Sequence, residues 1–140
     1  MSTQSLSGVF RRGGPLGLRV LVVDDNRDAA DALGLLLQFL GADARVCYDG
    51  PTALAAADTA WPHAGLLDLT MPGMDGVELA GRLRAAAGGR PLLLVAVTAL
   101  GDDATRARTA AVFDLHLTKP ADGAAMYAAL DGFRRALAGE

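Results

Sequence analysis

One cysteine, Cys47, is too few for an internal disulfide, and no Cys/His cluster has the spacing of zinc ligands. A disulfide scaffold and a structural zinc site are both excluded, and a reducing cytoplasm suits the chain. No apolar run approaches the ~20 residues that span a bilayer, and the amino terminus lacks the apolar centre of a secretion signal. A cytoplasmic location with no membrane partner is therefore expected. Positive charge is not in surplus either: thirteen Lys and Arg face sixteen Asp and Glu, for a net charge of −3. Nothing then drives binding to a phosphate backbone, and no direct nucleic-acid partner is expected. What remains is 140 residues, 51% hydrophobic and 21% charged, which fits one soluble domain with a single packed core.

The stretch from Met1 to Gly17 mixes Ser, Gly and Pro with Arg11 and Arg12 and has no usable periodicity. It reads as a flexible tail (1–17) ahead of one domain (18–140). Five strand candidates follow: Arg19 to Val23, Ala44 to Tyr48, Gly65 to Leu69, Leu92 to Ala99 and Leu115 to Thr118. Between them, Ala30, Leu33, Leu36, Leu37 and Leu40 fall at helical spacing, as do Met126, Leu130, Phe133 and Leu137. Short strands joined by helices require right-handed crossovers, so the fold class is α/β: a parallel sheet with helices on both faces. Three strands are nearly continuous in apolar residues, as a sheet interior demands, whereas the mixed segment around Arg45 and Tyr48 suits an edge.

Ligands of open parallel sheets bind outside the carboxyl ends of the strands. In this sequence the first strand runs into Asp24 and Asp25, the third into Asp68, the fourth carries Thr98 near its end, and the fifth ends at Lys119 and Pro120. Three carboxylates held together raise one another's pKa values unless a cation neutralises them, and Mg²⁺ takes carboxylates together with a phosphate oxygen. An Asp can itself be the nucleophile in phosphoryl transfer when a metal and a lysine offset the charge. Lys119 would supply that second charge, and the Thr98 hydroxyl could donate to a phosphoryl oxygen and report its presence.

Singly, each residue has an ordinary explanation. Asp24, Asp25 or Asn26 could cap the next helix, Asp68 could end a strand, Thr98 is β-branched in a strand, and Lys119 could be an exposed residue ahead of a proline. Jointly, all of them land at one end of one sheet.

The segments LVVDDN (Leu21 to Asn26), LLDLTMPGMDG (Leu66 to Gly76), VTAL (Val97 to Leu100) and FDLHLTKP (Phe113 to Pro120) closely resemble the four signature segments of two-component response-regulator receiver domains. Their intervals agree as well, with 43 residues from Asp25 to Asp68, 30 from Asp68 to Thr98 and 21 from Thr98 to Lys119. The resemblance covers nearly all of Leu18 to Leu137. It implies a five-stranded sheet of flavodoxin-like order 2-1-3-4-5, Asp68 as phosphoacceptor, and Mg²⁺ held by Asp24, Asp25, Asp68 and the backbone carbonyl of Thr70. It also implies Lys119 as the phosphate-contacting lysine, a cis Lys119–Pro120 bond, and Thr98 and His116 as the switch pair. Histidine stands at 116 where the family usually has an aromatic residue, a feature similar to receivers attached to hybrid histidine kinases. Val112 replaces the glycine that commonly follows the fourth helix, so that turn should differ, and Gly65 lacks the side chain that normally packs beside the acceptor strand.

The resemblance implies a phosphoacceptor that catalyses only its own phosphorylation and dephosphorylation, with a histidine kinase or histidine phosphotransfer protein as donor and a downstream protein as target. A stand-alone receiver is the preferred form, since no effector domain follows the last helix; a hybrid-kinase receiver is the second. A phosphohydrolase using Asp68 would need a second acid near it, and Thr70 occupies the alternate position. A binding module that has lost phosphorylation is the remaining alternative.

Overall fold

A computed structural model of the chain describes residues 16–99 and 103–140. Five strands, β1 (Arg19–Val23), β2 (Asp43–Cys47), β3 (Ala64–Leu67), β4 (Leu93–Thr98) and β5 (Leu115–Thr118), alternate with five helices. The helices are α1 (Arg27–Phe39), α2 (Gly50–Thr59), α3 (Gly76–Ala87), α4 (Asp103–Thr109) and α5 (Gly123–Leu137). All neighbouring strands pair in parallel, in the order β2-β1-β3-β4-β5. The fold is therefore the expected five-stranded α/β sheet with flavodoxin-like order, and the mixed segment around Arg45 forms an edge strand.

Local chemistry starts and stops the helices where the sheet needs them. Asn26, Asp49, Asp75 and Asp122 each cap a helix by accepting a backbone N–H, from Ala29, Thr52, Glu78 and Ala124 respectively. α3 ends at Gly88, whose φ of 56° is a left-handed conformation that a side chain would resist.

Strand periodicity of two divides the core into two layers. Leu21, Val23, Leu67, Leu94 and Ala96 face α2 and α3, packing with Ala53, Ala57, Leu79 and Leu83. Val20, Val22, Leu66, Val95 and Val97 face α1 and α5, packing with Ala30, Leu37, Met126 and Leu130. No residue of α4 enters either layer; its buried residues are Thr105 and Thr109.

Several expectations need adjustment. Among the described residues, Leu16 and Gly17 of the expected tail pack against the domain: Leu16 is 2% exposed, and the two donate backbone hydrogen bonds to Leu40 and Gly41. The preceding residues, 1–15, lie outside those described. β2 runs Asp43–Cys47 rather than Ala44 to Tyr48, and β3 and β4 are shorter than their apolar runs, because the chain turns out of the sheet at the candidate site residues. At Gly65 the missing side chain leaves no hole, since a Cβ there would sit 3.0 Å from a Leu94 methyl. The turn after α4 closes through Val112 and Phe113 N–H groups donating to the Thr109 carbonyl, and no described non-glycine residue has positive φ.

Candidate functional site

Three of the candidate residues are carried off strand ends by their own main chain. The Asp24 N–H donates to the Cys47 carbonyl at the end of β2 (3.2 Å), and Asp68 donates to Val23 at the end of β1 (2.9 Å). Lys119 donates to Thr98 at the end of β4 (2.9 Å). Each residue is thereby fixed to the last rung of the neighbouring strand, independently of its side chain.

Two further residues complete the frame. The Asn26 N–H donates to Asp24 Oδ1 at 3.0 Å while its side chain caps α1, so one residue orients the carboxylate and starts the helix. Gly76 opens α3 directly against Asp68: its N–H donates to the Leu69 carbonyl at 3.0 Å, and a Cβ at this position would overlap the Asp68 carbonyl. The approach is possible only without a side chain. Sequence reasoning offered Asn26 only as one of three possible caps and gave Gly76 no role of its own, although Asp75-Gly76 at the head of a helix is a readable turn-and-cap signal.

The side chains of Asp24, Asp25 and Asp68 bring carboxylate oxygens within 4.8 Å of one another. Asp24 and Asp68 are buried, at 6% and 7% exposure, whereas Asp25 faces solvent. The Lys119 ammonium bridges the buried pair, with Nζ 2.7 Å from Asp24 Oδ2 and 3.4 Å from Asp68 Oδ1. One ammonium thus touches two members of a three-carboxylate cluster.

Electrostatics follow from that imbalance. Burial, and after it the charge of Asp24, push the Asp68 carboxyl up to about 6, against the opposing pull of Lys119. For Lys119, burial disfavours the charged form, but the hydrogen bond to Asp24 and the charges of Asp68 and Asp24 outweigh it and raise its pKa. The donor set is all carboxylate oxygen, hard and anionic, with negative charge left over after Lys119. Those properties fit a small divalent cation such as Mg²⁺.

The other candidates lie around this cluster. Thr98 is buried at the end of β4, paired in register with Thr118. Thr70 is exposed two residues beyond Asp68. His116, in register with Ala96, is not part of the acidic cluster; its Nε2 pairs with the Thr109 hydroxyl of α4, and its ring lies 6.0 Å from that of Phe113. Burial, then the nearby Arg106 charge, lower its pKa. The Lys119–Pro120 bond is cis, as expected. Leu100, the last residue of the third signature segment, lies outside the described residues.

Residues 20–131 match the family model of the response regulator receiver domain. The chain belongs to that family, and it is a phosphoacceptor switch of two-component signalling. Over 104 residues it is 38% identical to an uncharacterized 14.6 kDa protein in the sodA1 3′ region of Leptolyngbya boryana, spanning 74% of this chain and 79% of that one. It is 47% identical over 66 residues to the sensory transduction protein RegX3 of Mycobacterium tuberculosis, a match that covers 47% of this chain and only 29% of RegX3. The CheY-like receiver domain from Methylobacillus flagellatus superposes with a TM-score of 0.73 at 30% identity, covering 84% of this chain and 98% of that one. Vibrio cholerae chemotaxis protein CheY4 shares the fold, with a TM-score of 0.77 at 24% identity over 84% of this chain and 98% of its own.

Proposed function

We propose that Asp68 accepts the phosphoryl group, with Mg²⁺ as cofactor and a histidine kinase or histidine phosphotransfer protein as donor. The observation that carries this reading is the buried pair Asp24 and Asp68, bridged by Lys119, with Asp25 completing a three-carboxylate cluster. Asp24, Asp25 and Asp68, with the backbone carbonyl of Thr70, would hold the ion, which supplies positive charge against the charge developing on the transferring phosphoryl group.

The chain's own residues do the rest. A carboxylate oxygen of Asp68 forms the new bond to phosphorus as the donor's phosphorus–nitrogen bond breaks, and the electron pair stays with the departing imidazole. With a pKa of about 6, Asp68 is mostly ionised at neutral pH and available as nucleophile. Lys119 holds a phosphoryl oxygen from the β5 side, and burial of Asp24 and Asp68 strengthens every charge interaction in the site. The Thr98 hydroxyl then turns to the phosphoryl group and His116 follows, shifting a two-state equilibrium on the adjoining surface.

Output is by protein contact, in the cytoplasm, without direct nucleic-acid binding. The chain acts on no substrate beyond its own aspartyl phosphate. The name DNA-binding response regulator belongs to MtrA of Mycobacterium leprae, of which this chain's match takes in 36%. Incubation with acetyl phosphate and Mg²⁺, read by intact mass, tests the proposal. One added phosphoryl group is expected, lost with Asp68→Asn or EDTA; addition that persists in Asp68→Asn would remove Asp68 from the role.

A further inference from the structure

A polar contact joins α4 to β5 through Thr109 and His116. Thr109 is completely buried, and its hydroxyl lies 2.9 Å from the Thr105 carbonyl and 3.3 Å from that of Arg106, both within its own helix. A hydroxyl carries one proton and two acceptor lone pairs, so it can serve more than one of these partners at once. The same hydroxyl oxygen pairs with His116 Nε2 on β5. His116 is therefore tied to α4 by a directed bond to a fully buried side chain.

The setting makes that bond consequential. α4 buries only Thr105 and Thr109 and contributes nothing to either apolar layer, so the bond from Thr109 to His116 carries weight in holding it that apolar area carries elsewhere. A movement of His116 toward Thr98 must break the bond to Thr109 and leave a buried oxygen short of one partner.

We infer that Thr109 is a positioning residue of the switch: its hydroxyl latches His116 to α4 in the resting state and thereby opposes phosphorylation. The inference rests on the proposed roles of Asp68 and His116. Coupling is reciprocal, so whatever the latch contributes to the resting state is subtracted from the affinity for a phosphoryl group. Removing the hydroxyl should therefore strengthen binding of a phosphoryl mimic, the opposite of what loss of an ordinary buried contact near a site would do.

The test titrates the full chain in Mg²⁺ with beryllofluoride, following the His116 imidazole nitrogens by NMR. Thr109→Val keeps the shape without the hydroxyl and should saturate at about two- to tenfold lower beryllofluoride than the parent, the range set by one net hydrogen bond. Thr109→Ser keeps the hydroxyl and should stay within about twofold of the parent. In the parent, the Nε2 resonance should move on saturation as the latch opens. Equal or weaker binding by Thr109→Val overturns the inference. Should that variant fail to fold, a parent Nε2 resonance unchanged through saturation, or a Thr109→Ser protein that binds far more tightly, overturns it as well. Beryllofluoride binding that survives Asp68→Asn points instead to failure of the underlying site reading.

Discussion

α3 and α4 each follow a functional strand end, yet they are held by different physics. α3 buries Leu79, Ala80, Leu83 and Ala87 along one stripe, each at the spacing of a helical face. A fully buried leucine contributes about 1.5–3 kcal/mol, so this helix is anchored by area. α4 has half that length in residues or little more, buries two threonines, and depends on hydrogen bonds worth about 0.5–1.5 kcal/mol each. Apolar packing is tolerant of small displacements, whereas a directed bond is either made or broken. The helix beside Asp68 is thus suited to remain in place, and the helix beside His116 is suited to change.

The comparison can be broken most directly at Leu83, which is fully buried in α3. Leu83→Ala should cost about 2–5 kcal/mol in urea unfolding; a loss below about 1 kcal/mol would mean that α3 is not anchored by its apolar stripe. Amide hydrogen exchange gives the converse reading on the unaltered chain. The α4 amides should open at least about 2 kcal/mol more easily than those of α3, and equal protection would remove the distinction.

Gly76→Ala places a methyl against the Asp68 carbonyl, and about 1–3 kcal/mol of destabilisation is expected, accompanied by weaker Mg²⁺ binding in calorimetry. Unchanged Mg²⁺ affinity would show that the head of α3 does not set the Asp68 geometry. The pH dependence at Asp68 comes next in size. Protons compete with Mg²⁺ for this carboxylate, so affinity should fall about tenfold per pH unit below about pH 6 and level off above it. The sign for folding is the reverse. Because the folded pKa lies above the ordinary 3.8, ionisation of Asp68 removes stability from the metal-free fold as pH rises through about 6. The metal-free Tm should gain from Asp68→Asn at pH 7 more than at pH 4.5, and a gain independent of pH would contradict the assignment. The smallest effect belongs to the exposed Arg82–Glu78 pair on α3, where Glu78→Gln should change stability by no more than about 0.5 kcal/mol.

The same contrast explains what the sequence disclosed. α/β class, edge placement of β2 and the apolar stripes of α1 and α5 were legible because hydrophobic period is a direct record of burial. Strand order came through family resemblance rather than periodicity. Asp24, Asp25, Asp68 and Lys119 were legible because charged residues interrupting apolar strand ends demand partners, and the structure brings the four together. The anchoring of α4 was not legible, since threonines on its inner face leave no hydrophobic period. Nor does any spacing rule connect Thr109 on a helix with His116 on the following strand. Leu16 was read as tail because a single leucine after glycines and a proline has no pattern to join.

The main-chain tethers of Asp24, Asp68 and Lys119 have a consequence for how such a chain diversifies. An N–H bonded to the last rung of the next strand is indifferent to the side chain beyond it, so the sheet manufactures addresses rather than residues. Lettering at an address can be rewritten while its coordinates persist. An Asp68→Asn protein should accordingly keep its shape and its docking to the phosphodonor while refusing the phosphoryl group, and a cell that duplicated this gene would be one base change away from a decoy.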